Sequence, residues 1–108
     1  MTKSLQFSLV ALAFSTTAAL AQDSGDVDNG RQKAFTCMGC HGAEGIRNAY
    51  PGYHVPKLGG QHAAYIASAL HAYKTGDRWH PTMQAHAATM TEQDMADIGA
   101  YFESLAAQ

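Results

Sequence analysis

Residues 37–41 read Cys-Met-Gly-Cys-His, so Cys40 and His41 follow Cys37 at three and four residues. On one helical turn that spacing projects two thiols and an imidazole from a single face. Groups so placed can add to the two vinyl groups of a porphyrin and bind its iron, the chemistry of covalent c-type haem attachment. Cys37 and Cys40 are therefore the candidate attachment residues, and His41 is the candidate axial ligand.

Three other chemistries use paired cysteines, and the rest of the chain fits each of them poorly. A structural zinc site takes four ligands, normally with a second Cys or His pair, whereas the chain has two cysteines in all. A redox C-x-x-C is expected beside a strand–helix–strand pattern, and no such alternation is present. A disulfide between Cys37 and Cys40 would close a very small loop, where a cross-link does least.

A haem iron bound by histidine on one side can take a methionine sulfur on the other. Of the five methionines, Met1 lies in the leader and Met38 sits between the attachment cysteines. Met90 and Met95 are spaced as a hydrophobic staple around Thr91-Glu92-Gln93-Asp94, which has the form of a capping box with Asp94 in the usual Glu or Gln position. Met83 remains, on a loop just after Pro81, and is the candidate sixth ligand. His86 is its rival, because on a helix it would lie one turn from Met83.

The elements that position these groups are helical. Asp26 or Asp28 can cap a first helix from Asn29 to about Cys37, with Ala34 and Phe35 inward and Arg31 and Lys33 in solvent. Residues 42–60 hold five glycines and two prolines and read as a long loop. A loop of that length in a small domain has a purpose if it wraps one haem edge. Within it Pro51 or Pro56 can offer a carbonyl to the second nitrogen of His41. From Gln61 to Thr75, Tyr65, Ile66, Ala69, Leu70 and Tyr73 recur on one helical face, Gly76 is a natural stop, and His62 and His71 fall outside the stripe. A short alanine-rich helix is expected around Gln84–Thr89, and a last helix from Thr91 buries Met95, Ile98, Phe102 and Leu105.

The first 21 residues have the form of a secretory signal: Lys3, an apolar run from Leu5 to about Leu20, and Ala19-Leu20-Ala21 as the cleavage site. Gln6, Ser8, Ser15, Thr16 and Thr17 interrupt that run, which argues against a membrane anchor. The expected organisation is a removed signal (1–21), a polar leader (22–27) and one haem domain (28–108), a soluble periplasmic protein. The mature chain of about 87 residues is short for a self-sufficient core, and a buried haem would supply the missing apolar volume. Removal of Lys3 leaves six cationic against nine acidic side chains, a formal charge of −3. That balance excludes nucleic acid as a natural partner and points to a redox partner with a basic docking patch.

Taken together, Cys37 to Gly45, Pro56-Lys57-Leu58-Gly59-Gly60-Gln61, Lys74-Thr75-Gly76-Asp77-Arg78, and Met83 eight residues before Thr91-Glu92-Gln93-Asp94 resemble class I cytochromes c. The likeness is greatest to the cytochrome c553 and c4 group and to the cytochrome subunit of flavocytochrome c sulfide dehydrogenases. It covers nearly all of the mature chain. It implies one haem c with thioether bonds at Cys37 and Cys40 and axial ligation by His41 and Met83. It also implies an all-α cytochrome c fold of three to four helices, in which the first and last cross and Gly30 admits Tyr101 or Phe102. Two departures stand out: cytochrome c4 proper has two haem domains, and the stretch from Tyr50 to Pro56 is longer than in the group.

An iron with both axial positions filled by protein leaves no site for oxygen or peroxide, so one-electron transfer is the expected work, with no catalysis of its own. The first reading is a periplasmic carrier between a dehydrogenase or quinol oxidase complex and a terminal oxidase or reductase. A dedicated electron-transfer subunit of a sulfide or alcohol dehydrogenase is the alternative. A haem enzyme or gas sensor would require that Met83 not bind.

Overall fold

The computed structural model describes residues 24–42, 47, 52 and 54–107. The expected export signal (1–21), Gln22 and Asp23 of the expected leader, Pro51 and most of the stretch from Ala43 to Tyr53 lie outside the described residues. Among these residues five helices follow in order: α1 (Val27–Lys33), α2 (Phe35–His41), α3 (Ala63–Thr75), α4 (Pro81–Ala87) and α5 (Glu92–Ser104), with a closing 3-10 turn at Leu105–Ala107. The architecture is all-α; among the described residues the only strand-like pairing is an isolated bridge between Arg47 and His54. None of the helices described is long and apolar enough to cross a membrane. The count of five, against three to four expected, arises because the first helix breaks in two and the short helix near Met83 is distinct.

The break falls at Ala34, and it corrects one expected side-chain direction. Ala34 is fully buried, as expected, but Phe35 is 80% exposed. Ala34, Cys37, Met38 and His41 recur at three and four residues and turn toward the interior, so Phe35, about 100° further round the axis, points away. α1 begins at Val27, inside the expected leader, because Asp26 is its cap: the Asp26 carboxylate accepts the Asn29 N–H at 2.9 Å.

α5 is the central support, packed against α1 and α3, while α4 packs against α3. Its start carries the expected reciprocal cap: Thr91 Oγ1 accepts the Asp94 N–H at 3.1 Å and Asp94 accepts the Thr91 N–H at 2.8 Å. Met95 is fully buried and Met90 packs partly buried against the same core, formed by Ala34, Ile66, Leu70, Met95, Ile98 and Phe102. The crossing of α1 over α5 is closest at Gly30, where a Cβ would lie 1.9 Å from the Asp97 carbonyl oxygen and 2.9 Å from Tyr101 Cβ. Of the two aromatics expected there, Tyr101 is the one that approaches. α3 ends at Gly76, whose φ of 88° gives the left-handed cap that the sequence signal implied.

Asp97, 1% exposed, holds the same crossing by hydrogen bonds. Its carboxylate accepts the Asp26 N–H at 2.8 Å, Gln93 Nε2 at 2.7 Å and Lys33 Nζ at 2.6 Å. Lys33, expected in solvent, also reaches Asp94 at 2.8 Å. A buried carboxylate is tolerated only when its oxygens are satisfied in this way. The result is that one side chain of α5 ties down both ends of α1.

Gly30→Ala is expected to destabilise the protein by about 1–3 kcal/mol in urea titration, although Ala ordinarily favours a helix over Gly by about 1 kcal/mol. A neutral or stabilising result would mean that the helices can part without penalty. The clasp also carries a pH dependence. Hydrogen bonding to Lys33 holds both carboxyls below their ordinary value, Asp94 at about 2. Such groups contribute stability that is complete above the unfolded pKa, about 3.9, and is lost as pH falls through the folded one. The melting temperature by circular dichroism is therefore expected to fall between about pH 4 and 2, and Lys33→Met to blunt that fall. Equal acid dependence in both proteins would remove the clasp as its cause.

Candidate haem site

α2 is too short to be stable alone, and it is held at both ends. Its start follows directly from α1, which Asp97 fixes, and its end meets the segment 56–58. There His41 Nδ1 lies 2.7 Å from the Pro56 carbonyl oxygen, and the Leu58 N–H donates to the His41 carbonyl at 3.3 Å. A carbonyl only accepts, so Nδ1 carries the proton and Nε2 keeps its lone pair, the tautomer a metal requires. Pro56 is one of the two prolines expected to offer this contact, and Pro51 lies outside the described residues. The same segment is anchored to the end of α5 by the Gly60 N–H, which donates to the Phe102 carbonyl at 2.8 Å.

His41 is 9% exposed and forms one wall of a cleft of about 390 Å³. Cys37 and Cys40 share that wall, and neither is in a disulfide. Burial raises the Cys37 thiol above its ordinary value, the reverse of the lowered pKa of a redox C-x-x-C pair. The floor comes from α3, through Ile66, Ala69 and Leu70, with Tyr65 and Tyr73 beside them. Met83 and His86 of α4 and Met90 complete the boundary. A mostly apolar cleft of this size, holding a few convergent donors, has the character of a cofactor site. Two thiols, an imidazole with a free Nε2 and a thioether fit a porphyrin with iron at its centre.

All four expected site residues, Cys37, Cys40, His41 and Met83, thus border one cleft. Met83 is not on a loop, as expected, but in the first turn of α4, which begins at Pro81 rather than near Gln84. The cause is a cap absent from the sequence reading. His80 Nδ1 accepts the Met83 N–H at 3.4 Å, and the His80 N–H donates to Gln84 Oε1 at 3.2 Å. Tyr73 meets the His80 ring edge-on at 6.4 Å between centroids, and the Arg78 guanidinium lies 4.9 Å over Tyr73. The signal was present as His80-Pro81, a capping side chain before a proline at the first helical position. Met83 is partly buried, whereas His86 is exposed. Met90, assigned on sequence to the staple alone, borders the cleft as well, and its carbonyl accepts Lys74 Nζ.

The charge of the cleft differs from that of the chain. Lys57 and Arg78 line it, and no carboxylate does among the described residues. Of the acidic side chains described, Asp26 and Asp28 lie at α1, Asp77 in the turn beside Arg78, and Glu92, Asp94, Asp97 and Glu103 on α5. The expectation of a basic patch on the partner rests on the net charge of the whole chain.

A family model described as Cytochrome c matches residues 27–106. Cytochrome c4 of Pseudomonas aeruginosa is 40% identical over 85 residues, covering 79% of this chain and 41% of that protein. Cytochrome c-554(548) of Halomonas halodenitrificans is 38% identical over 84 residues, covering 75% of this chain and 98% of its own length. The solved structure of reduced recombinant cytochrome c4 from Pseudomonas stutzeri superposes with a TM-score of 0.58 at 32% identity, over 73% of this chain and 47% of that one. The chain therefore spans less than half of the cytochrome c4 chains it matches. Sequence, relatives and fold agree on one assignment: the chain belongs to the cytochrome c family, and its cofactor is covalently bound haem c.

Proposed function

We propose that this chain is an exported one-electron carrier of the periplasm, organised as a removed signal (1–21), a short leader and one haem domain. The observation that carries this reading is the meeting of Cys37, Cys40, His41 and Met83 on one apolar cleft. Bound haem c supplies a one-electron iron couple. Cys37 and Cys40 hold the porphyrin through thioether bonds, so that it is not lost outside the cell. His41 would hold the iron through Nε2, and its hydrogen bond to Pro56 fixes the ring and raises its basicity. Met83 would hold it through sulfur, a soft donor that favours the lower oxidation state. With both residues bound, oxygen and peroxide would have nowhere to bind. Ile66 and Leu70 exclude water from the floor of the cleft.

The match to cytochrome c-554(548) covers almost that whole protein, so a domain of this kind can form a chain by itself, as a carrier requires. As a carrier it would pass electrons from a dehydrogenase or quinol oxidase complex to a terminal acceptor. Size-exclusion of the native protein separates this from a dehydrogenase subunit: a carrier elutes alone, and a subunit co-elutes with its enzyme.

Haem should stay with the wild-type polypeptide under denaturing electrophoresis, and Cys37→Ala with Cys40→Ala should release it into acid acetone. Extraction from the wild type would end the covalent reading. Met83→Ala should abolish the near-infrared sulfur-to-iron band of the oxidised protein, lower the reduction potential and admit carbon monoxide, while His86→Ala should do none of these. Loss of the band in Met90→Ala, with survival in Met83→Ala, would move the ligand to Met90.

A further inference from the structure

α4 is seven residues long, and Met83 is its third residue. A helix of that length does not persist in water unless its ends are held, and the first N–H groups of any helix have no partner within it. The Met83 N–H is one of those groups, and its partner is the His80 ring. Nδ1 accepts that N–H at 3.4 Å, while the His80 N–H donates to Gln84 Oε1 at 3.2 Å. The two bonds close a reciprocal clasp on the first turn of α4. The His80 backbone is extended, with φ −166° and ψ 109°, as the proline that follows requires.

The ring that makes the cap is itself held. Tyr73, in the last turn of α3, meets it edge-on with 6.4 Å between centroids. His80 is half-buried, and it borders the same cleft as Tyr73 and Met83. Asn, Asp and Ser are the usual caps of a helix, and any of them could bond the Met83 amide without touching α3. Histidine adds a ring long enough to reach the neighbouring helix. The capped amide therefore belongs to the residue whose thioether borders the cleft, and a single side chain fixes that residue relative to α3.

We infer that His80 is the positioning residue for Met83 and keeps the sixth position of the iron closed to external ligands. This rests on the reading of Met83 as an iron ligand. An external ligand binds there only after the Met83 sulfur has left, so its apparent affinity scales with the fraction of molecules in which that has happened. Departure of Met83 frays the first turn of α4, and a side-chain cap opposes such fraying by about tenfold in the equilibrium.

Titration of the oxidised holoprotein with imidazole, followed by haem absorption and by the near-infrared sulfur-to-iron band, tests this. His80→Ala should tighten imidazole binding about tenfold and weaken the band before any imidazole is added. His80→Asn, whose side-chain oxygen can accept the same N–H, should restore most of the wild-type behaviour. Thr91→Ala removes the cap of α5, and it should lower the urea midpoint while leaving imidazole affinity unchanged. Wild-type affinity in His80→Ala, equal tightening in Thr91→Ala, or an Asn variant as open as the Ala one would each overturn the positioning role alone. Should His80→Ala lose its haem, Gln84→Ala, which removes the other half of the clasp, must show the same tightening in smaller measure; an unchanged affinity there would overturn the proposal as well. A wild-type protein that lacks the near-infrared band would overturn it together with the reading of Met83 on which it rests.

Discussion

The carboxylate of Asp97 is the interaction on which the placement of the haem residues depends. It is buried, so its charge must be met, and the groups that meet it are the two ends of α1. That fixes α1 across α5, at a distance set by the missing side chain of Gly30. α1 in turn fixes the start of α2, and the end of α2 binds Pro56 and Leu58 through His41. The segment then returns to α5 through the Gly60 bond to Phe102. The circuit begins and ends on the same helix, and the attachment residues lie within it.

Met83, the proposed partner of His41 at the iron, is held on different terms. Met83 belongs to a seven-residue helix with no buried charge to anchor it. Its backbone is fixed by the His80 cap, and the His80 ring leans on Tyr73, which carries Arg78. Two of these contacts are between faces and edges of rings, which are weaker and more yielding than charge-assisted hydrogen bonds. The histidine side of the cleft is therefore the rigid wall, and the methionine side is the adaptable one.

Local chemistry was legible in the sequence, and relations between distant segments were not. The haem motif, the stripe of α3, the Gly76 stop and the Thr91–Asp94 box are each defined within a few residues, and each is found as read. The proline contact was narrowed to two candidates because a loop's path depends on what it wraps. Phe35 was misplaced because a seven-residue helix with no breaker at Ala34 gives no sign of its interruption; the interruption follows from docking Ala34 into the core. Lys33 was read as a solvated charge because Asp97 is 64 residues away. The separation of acidic helices from a cationic cleft was invisible for the same reason: a composition records how many charges there are and says nothing of where folding puts them.

The first two helices are each seven residues long, below the length at which a helix persists on its own in water. α1 is held by α5, through a bond from Asp26 to Asp97 that spans 71 residues, and α2 follows from α1. The attachment motif therefore lies in open chain until the C-terminal helix has emerged and turned back. Until then its two thiols stay accessible. The point at which the fold can close is thus set by where along the chain the partner of the first helix was placed.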